Sequence, residues 1–192
     1  MSKAISLEKK LLLIAVSLSL LFIGLSTSYF LYVRNNVIDQ RRCALEPRIH
    51  FIGTLINGYY QRYLDGDLSL AQAQQQAIDE IHQINQVNKN YIFVFNDDYL
   101  LLESVNNATM RNQNVKEARD INGVKLYQLL YKEAVYRQNG GYSHYFYHFN
   151  ADGTEQKKIS YSQYFKPWGW IYGEGVYILD VDTSIFNMMT SY

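Results

Sequence analysis

The chain has 192 residues, 48% hydrophobic and 15% aromatic, and its 18 basic side chains are balanced by 18 acidic ones. A neutral chain has no long-range field to draw phosphate backbones or anionic lipid surfaces, which excludes nucleic acid as an expected partner. The apolar content is that of a packed domain, and the single cysteine, Cys43, excludes an intrachain disulfide and any zinc or redox motif built on paired cysteines.

Residues 1–10 contain Lys3, Lys9 and Lys10, and the run from Leu11 to Val33 that follows carries no charge. That run exceeds the roughly 20 apolar residues a helix needs to cross hydrocarbon. No small-x-small cleavage site follows it, so residues 11–33 are expected to be an uncleaved transmembrane anchor. The lysines before it outnumber Arg34 after it. This places residues 1–10 in the cytoplasm and predicts a single-pass inner-membrane protein whose C-terminal domain is periplasmic.

Beyond Arg34, the residues Ile38, Leu45, Ile49, Ile52, Ile56, Tyr59 and Tyr63 fall at helical spacing. A long membrane-proximal helix over residues 34–66 is expected, continuous with the membrane helix, kinked at Pro47 and ending near Gly66. Its stripe either packs on its own domain or forms a seam between two subunits, which leaves a homodimer through this helix open.

Residues 67–192 hold the remaining elements. Ser69-Leu70-Ala71-Gln72 fits the S-x-x-Q capping box, so a second helix starts there, with Ala73, Ala77, Ile78, Ile81 and Ile84 inward and the Asn-rich stretch from Asn85 to Asn90 as its stop. Tyr91 to Phe95 reads as a strand, turned at Asn96-Asp97-Asp98 into Tyr99 to Leu102. An irregular polar stretch, Asn106 to Arg119, precedes a third helix marked by Leu126, Leu129, Leu130 and Glu133 and ended by Gly140-Gly141. Tyr142 to Phe149, Lys157 to Phe165 and Trp170 to Leu179, joined by turns at Asn150-Ala151-Asp152-Gly153 and Pro167-Trp168-Gly169, read as an antiparallel meander. The fold class is α+β, with one five-stranded antiparallel sheet.

Enzyme chemistry finds no footing. The chain has no G-x-S-x-G, no H-E-x-x-H and no phosphate loop, and no cofactor is implied. His144 and His148 alternate on one strand without a third metal ligand, so no metal is expected. Asn107-Ala108-Thr109 matches the glycosylation triplet, which has meaning only in a eukaryotic secretory setting.

The segments RDINGVKLYQLL (Arg119 to Leu130), Gly140-Gly141-Tyr142 and above all KISYSQYFKPWGWIYGEGVYILDVD resemble the single Cache domain family, the extracytoplasmic sensor modules of bacterial chemoreceptors and sensor kinases. The likeness extends from about Arg48 to Asp182. It implies a PAS-like sheet behind the long N-terminal helix. Two departures stand out. Where the family has a turn ending in Gly and then a His-Pro pair, this chain has Asn96-Asp97-Asp98-Tyr99 and Glu103-Ser104. Relatives usually return through a second membrane helix to a signalling domain, whereas this chain reaches Tyr192 without a further apolar run, so output is expected from a downstream signalling protein or from a longer receptor.

Family members that bind small carboxylates set the ligand against the sheet, and the resemblance implies such a small organic anion here. Two carboxylate oxygens leaving water require several donors beside an apolar wall. The candidates are Lys158, Tyr145, Tyr147, Tyr91, Arg111 and Tyr161. Lys158 leads, because it continues the family motif and a lysine amid rings requires an anionic partner. Two other readings stand beside this one. An aromatic cage could hold a methylated amine by cation–π attraction, favoured if Glu174 faces the pocket. Alternatively, the rings are all core and the chain is a partner of another membrane protein.

Overall fold

The computed structural model describes residues 6–88, 91–105, 108–148 and 155–178. The chain divides into two compact units, Met1–Asp39 and Gln40–Tyr192. The first consists of the N-terminal part of helix α1, which spans Leu7–Leu64. Among the described residues this is the one helix long and apolar enough to cross a membrane, by length and composition. Its leucines and isoleucines from Leu11 to Ile23 are exposed, as suits contact with lipid.

In the second unit, α1 remains helical through Pro47 and ends as sequence chemistry predicts. Gly66 adopts a left-handed conformation (φ 82°), its N–H donates to the Tyr63 carbonyl, and the Asp67 N–H donates to the Arg62 carbonyl. This is the Schellman closure, and it satisfies carbonyls the helix would otherwise leave bare. Helix α2 (Leu70–Asn88) starts at the capping box: the Ser69 N–H donates to the Gln72 side chain at 2.9 Å, and the Gln72 N–H donates to Ser69 Oγ at 3.3 Å.

Helix α2 ends at Asn88, inside the Asn-rich stretch expected to stop it. The Asn85 side chain is buried and mimics a strand neighbour, donating to the Ile92 carbonyl at 2.9 Å and accepting from the Ile92 N–H at 3.0 Å. Replacing Asn85 by alanine strands both backbone groups in the core. Since each orphaned buried group costs about 1–3 kcal/mol, the urea midpoint should fall clearly while the slope m stays unchanged; an unchanged midpoint would refute this role.

Strands β1 (Ile92–Asn96), β2 (Leu101–Glu103), β3 (Gly141–His148), β4 (Glu155–Phe165) and β5 (Trp170–Tyr177), with helix α3 (Leu126–Tyr136) before β3, form one antiparallel sheet in the order β2-β1-β5-β4-β3. This is the expected α+β, PAS-like architecture. The second strand is shorter than expected because Tyr99 sits in the turn with φ 61°. Helix α3 stops at Tyr136, before the glycines. The expected turn at Asn150-Ala151-Asp152-Gly153 and the end of the last strand at Leu179 lie outside the described residues.

The sheet has two apolar faces. One packs on α1 and α2 through Leu45, Ile49, Ile52, Ile56, Ala73 and Ile81, which meet Ile92, Val94, Tyr161, Trp170 and Tyr172. The stripe from Leu45 to Ile56 thus packs on its own domain. Each fully buried isoleucine contributes roughly 1.5–3 kcal/mol relative to exposure. The other face joins Phe93, Phe95, Tyr145, Tyr147, Ile171 and Tyr177 to α3. Strand periodicity assigns the rings: odd positions on β3 and even positions on β4 face α3, and their neighbours face α1. The aromatic density of the last three strands therefore serves two cores.

Candidate functional site

On the α3 face, a cavity opens between the sheet, α3 and the segment following β2. Lys158 and Tyr145 meet there across β4 and β3, where they are register partners. Phe93 and Tyr147 supply further sheet residues, Tyr91 stands just before β1, Leu126, Tyr127 and Leu130 come from α3, and Ser104 and Val105 close the rim. Its enclosed volume is about 10 Å³, close to the 10–15 Å³ that a single water needs by the same measure.

Lys158 is 97% buried, and its Nζ lies 4.8 Å from the Tyr177 ring centre, 5.1 Å from that of Tyr147 and 5.3 Å from that of Tyr91. Three rings within about 6 Å make a cation–π environment, worth most where water is excluded. Backbone glycines create the room for this side chain. Gly173 and Gly175 alternate on β5 and point to this face; a Cβ on Gly173 would come 2.5 Å from Phe93 Cζ, and one on Gly175 would collide with Ser160 Oγ and Lys158 Cε.

Hydroxyl groups belong to the same side of the sheet. Tyr127 and Tyr147 share a hydrogen bond at 3.1 Å, and Tyr145 and Ser160 share one at 2.8 Å. Burial pushes the Tyr127 and Tyr145 phenols well above the usual tyrosine range, so both keep their protons at neutral pH. The set is one cation, several neutral O–H groups and an apolar wall of Phe93, Leu126 and Leu130. Such a set can neutralise and solvate a small anion while holding a short carbon chain.

Of the six candidates read from the sequence, Lys158, Tyr145, Tyr147 and Tyr91 are brought together here. Tyr161 is not. It lies three positions from Lys158 on the same strand, hence on the opposite face, where it packs in the α1 core and its hydroxyl donates to the Asn139 carbonyl. Arg111 is also elsewhere, because its Nη2 is held at the sheet edge by Glu103 Oε1 at 3.1 Å and His82 Nδ1 at 3.0 Å. Glu174 faces α1 rather than the cavity and pairs with Arg48 at 3.0 Å, which removes the feature that would have favoured an amine among the rings. A cationic ligand there would meet the Lys158 ammonium instead.

Tyr127, Phe93, Leu126, Leu130, Ser104 and Val105 were not singled out as site residues. Tyr127 was the findable one, standing beside Leu126 at the start of the third helix in the segment that carries the family resemblance. Its placement over β3 depends on how α3 packs.

A profile of the family described as single Cache domain 2 matches residues 37–190. Over 191 residues, 98% of this chain, the sequence is 28% identical to the methyl-accepting chemotaxis protein McpP of Pseudomonas putida, and the chain spans about a third (34%) of that protein's length. A Cache chemosensory domain solved for its recognition of carboxylic acid is similar with TM-score 0.62 and 26% identity, covering 72% of this chain and 96% of that one. The periplasmic sensor domain of a chemotaxis protein shares the fold, with TM-score 0.68 and 21% identity over 73% of this chain and 96% of that chain. The family is one of sensing rather than catalysis, and an extracytoplasmic sensor with one candidate N-terminal membrane helix fits a single-pass membrane protein. By the match over residues 37–190, this chain belongs to the single Cache domain 2 family, the sensor domain of chemotaxis-receptor-like proteins.

Proposed function

We propose that the domain binds a short-chain carboxylate in the α3-face cavity and reports it across the inner membrane. The observation that carries this reading is the buried Lys158 ammonium among three tyrosine rings, with phenolic and seryl hydroxyls converging beside an apolar wall. The carboxylate would accept from Lys158 Nζ and from the Tyr145 and Tyr147 side, with Tyr91 over it. The similarity to a Cache domain that recognises carboxylic acid supports the choice of ligand class. In this reading residues 1–10 are cytoplasmic, 11–33 span the bilayer, 34–66 form the membrane-proximal helix and 67–192 carry the sensor.

Strand β5 is the connection between ligand and helix. On one face its glycines abut Lys158 and Phe93. On the other, Glu174 pairs with Arg48 of α1, and Tyr172 lies against Gly53, where an added Cβ would strike its hydroxyl. The small volume means that an acid larger than one water must open the cavity as it binds. A ligand that prefers the open arrangement shifts its population, and β5 passes the displacement to α1. A downstream signalling protein, or the remainder of a longer receptor, would read that movement.

The test is thermal unfolding of the full chain in lipid nanodiscs with acetate, propionate and butyrate. A ligand at a hundredfold excess over Kd adds about 2.7 kcal/mol to the native state, which raises the melting temperature by several degrees. Lys158→Met should remove the rise while leaving a cooperative melt. If no acid moves the melt, or if the variant responds like the parent, the reading is wrong.

A further inference from the structure

On the face of the sheet away from the Lys158 cavity, a groove of about 610 Å³ lies between α1, α2 and the sheet, lined by Arg48, Phe51, Ile52, Ile84, Ile92 and Glu174. Glu174 is 98% buried. Its Oε1 accepts from Arg48 Nη1 at 3.0 Å, but among the described residues its Oε2 accepts no hydrogen bond. A buried carboxylate oxygen without a donor is costly, and the cost points to a missing donor. Among the described residues the Arg48 side chain is hydrogen-bonded at Nη1 alone and is half exposed (54%), so the guanidinium can turn while Glu174 stays anchored in β5.

The two charges decide which occupant fits. A simple amine would satisfy Oε2 but stand against the arginine, and a simple acid would satisfy Arg48 but stand against Glu174. A molecule bearing an ammonium and a carboxylate on one carbon meets an opposite charge on each side. The remainder of the lining is apolar, with Ile52 and Ile92 buried and the Phe51 ring exposed at 64%, open to contact with a ligand in the groove.

We propose that this groove binds an apolar α-amino acid as its zwitterion, with the ammonium donating to Glu174 Oε2, the carboxylate accepting from Arg48, and the side chain on Phe51, Ile52, Ile84 and Ile92. Burial raises the Glu174 carboxyl above its ordinary range against the opposing pull of Arg48 and Lys158, and a cationic donor at Oε2 would favour its ionised form further. This site shares no residue with the carboxylate cavity. It is therefore independent of that reading.

The experiment is calorimetric titration of the full chain in nanodiscs with leucine, with 3-methylbutylamine (leucine without its carboxylate) and with 4-methylpentanoate (leucine without its ammonium). Leucine should bind saturably, and Glu174→Gln and Arg48→Met should each weaken it by about tenfold or more. In the Lys158→Met chain, leucine binding should persist, altered only by the loss of the Lys158 charge that Glu174 feels through the sheet, and neither truncated compound should bind as tightly. Arg48→Met alters an exposed side chain and decides the matter even if Glu174→Gln fails to fold. The proposal is overturned by the absence of saturable heat up to about 10 mM leucine, weaker than the useful affinity range. It is equally overturned if Lys158→Met abolishes leucine binding, if Arg48→Met leaves it intact, or if either truncated compound matches leucine.

Discussion

Between pH 10 and 12 the protein should lose several kcal/mol of folding stability, because its buried tyrosines hold protons that the unfolded chain releases. A tyrosine in the unfolded chain ionises near pH 10, whereas burial, helped by Tyr161, pushes Tyr172 up to about 12. Below pH 10 both states are protonated and the stabilisation is complete. As pH rises past 10 the unfolded state gains by ionising and the folded state does not, so stability falls until the folded pKa is passed. Two units at about 1.4 kcal/mol each make Tyr172 alone worth about 3 kcal/mol. Burial raises Tyr127 and Tyr145 as well, and they add to the loss. Urea unfolding at steps from pH 9 to 12, followed by circular dichroism, measures the slope. Tyr172→Phe should flatten it, and a stability that does not change over this range would contradict the account of the core.

Gly175→Val should be the most damaging single substitution at the Lys158 cavity. A Cβ at this position already collides with Ser160 Oγ, the hydrogen-bond partner of Tyr145, and with Lys158 Cε, and valine adds two further methyl groups. Overpacking a close-packed core costs typically about 1–3 kcal/mol, and β5, central between β1 and β4, cannot move away without breaking a ladder on both sides. A loss of about 3 kcal/mol is expected, together with displacement of the Lys158 ammonium from the Tyr91, Tyr147 and Tyr177 rings. Gly58→Ala, at a helical glycine with nothing near its added Cβ, is the control and should cost nothing. If the two variants melt alike, the glycines of β5 are not what makes room for the lysine.

The two substitutions also separate function from folding. Lys158→Met keeps the volume and removes the charge, so it should remove acid binding at little cost in stability. Gly175→Val keeps the charge and misplaces it.

Much of this protein was legible in its sequence because the relevant physics is local. The uncharged run from Leu11 to Val33, the capping box at Ser69, the left-handed glycine at Gly66 and the alternating meander each follow from hydrogen-bond accounting or periodicity within a few residues. Tyr161 was placed with Lys158 although alternation along β4 is enough to separate them, since positions three apart on a strand face opposite ways. The Asn-rich stretch from Asn85 to Asn90 marks the end of α2 at Asn88, as its composition predicts, whereas the hold of the Asn85 side chain on the Ile92 backbone depends on how α2 meets β1.

Only the tertiary structure decided on which face of the sheet the candidate residues gather. Both faces are apolar and aromatic, so composition cannot distinguish the face covered by α1 from the face covered by α3. Nor could the sequence pair Glu174 with Arg48, 126 residues away, or take Arg111 to Glu103 and His82 at the sheet edge. The first contact depends on β5 entering the middle of the sheet beside β1, and the second on α2 and the segment after β2 meeting at the β2 edge, long-range placements that no short stretch of chain encodes. The residues that could hold a ligand were visible as types, but their convergence was set by how the layers pack.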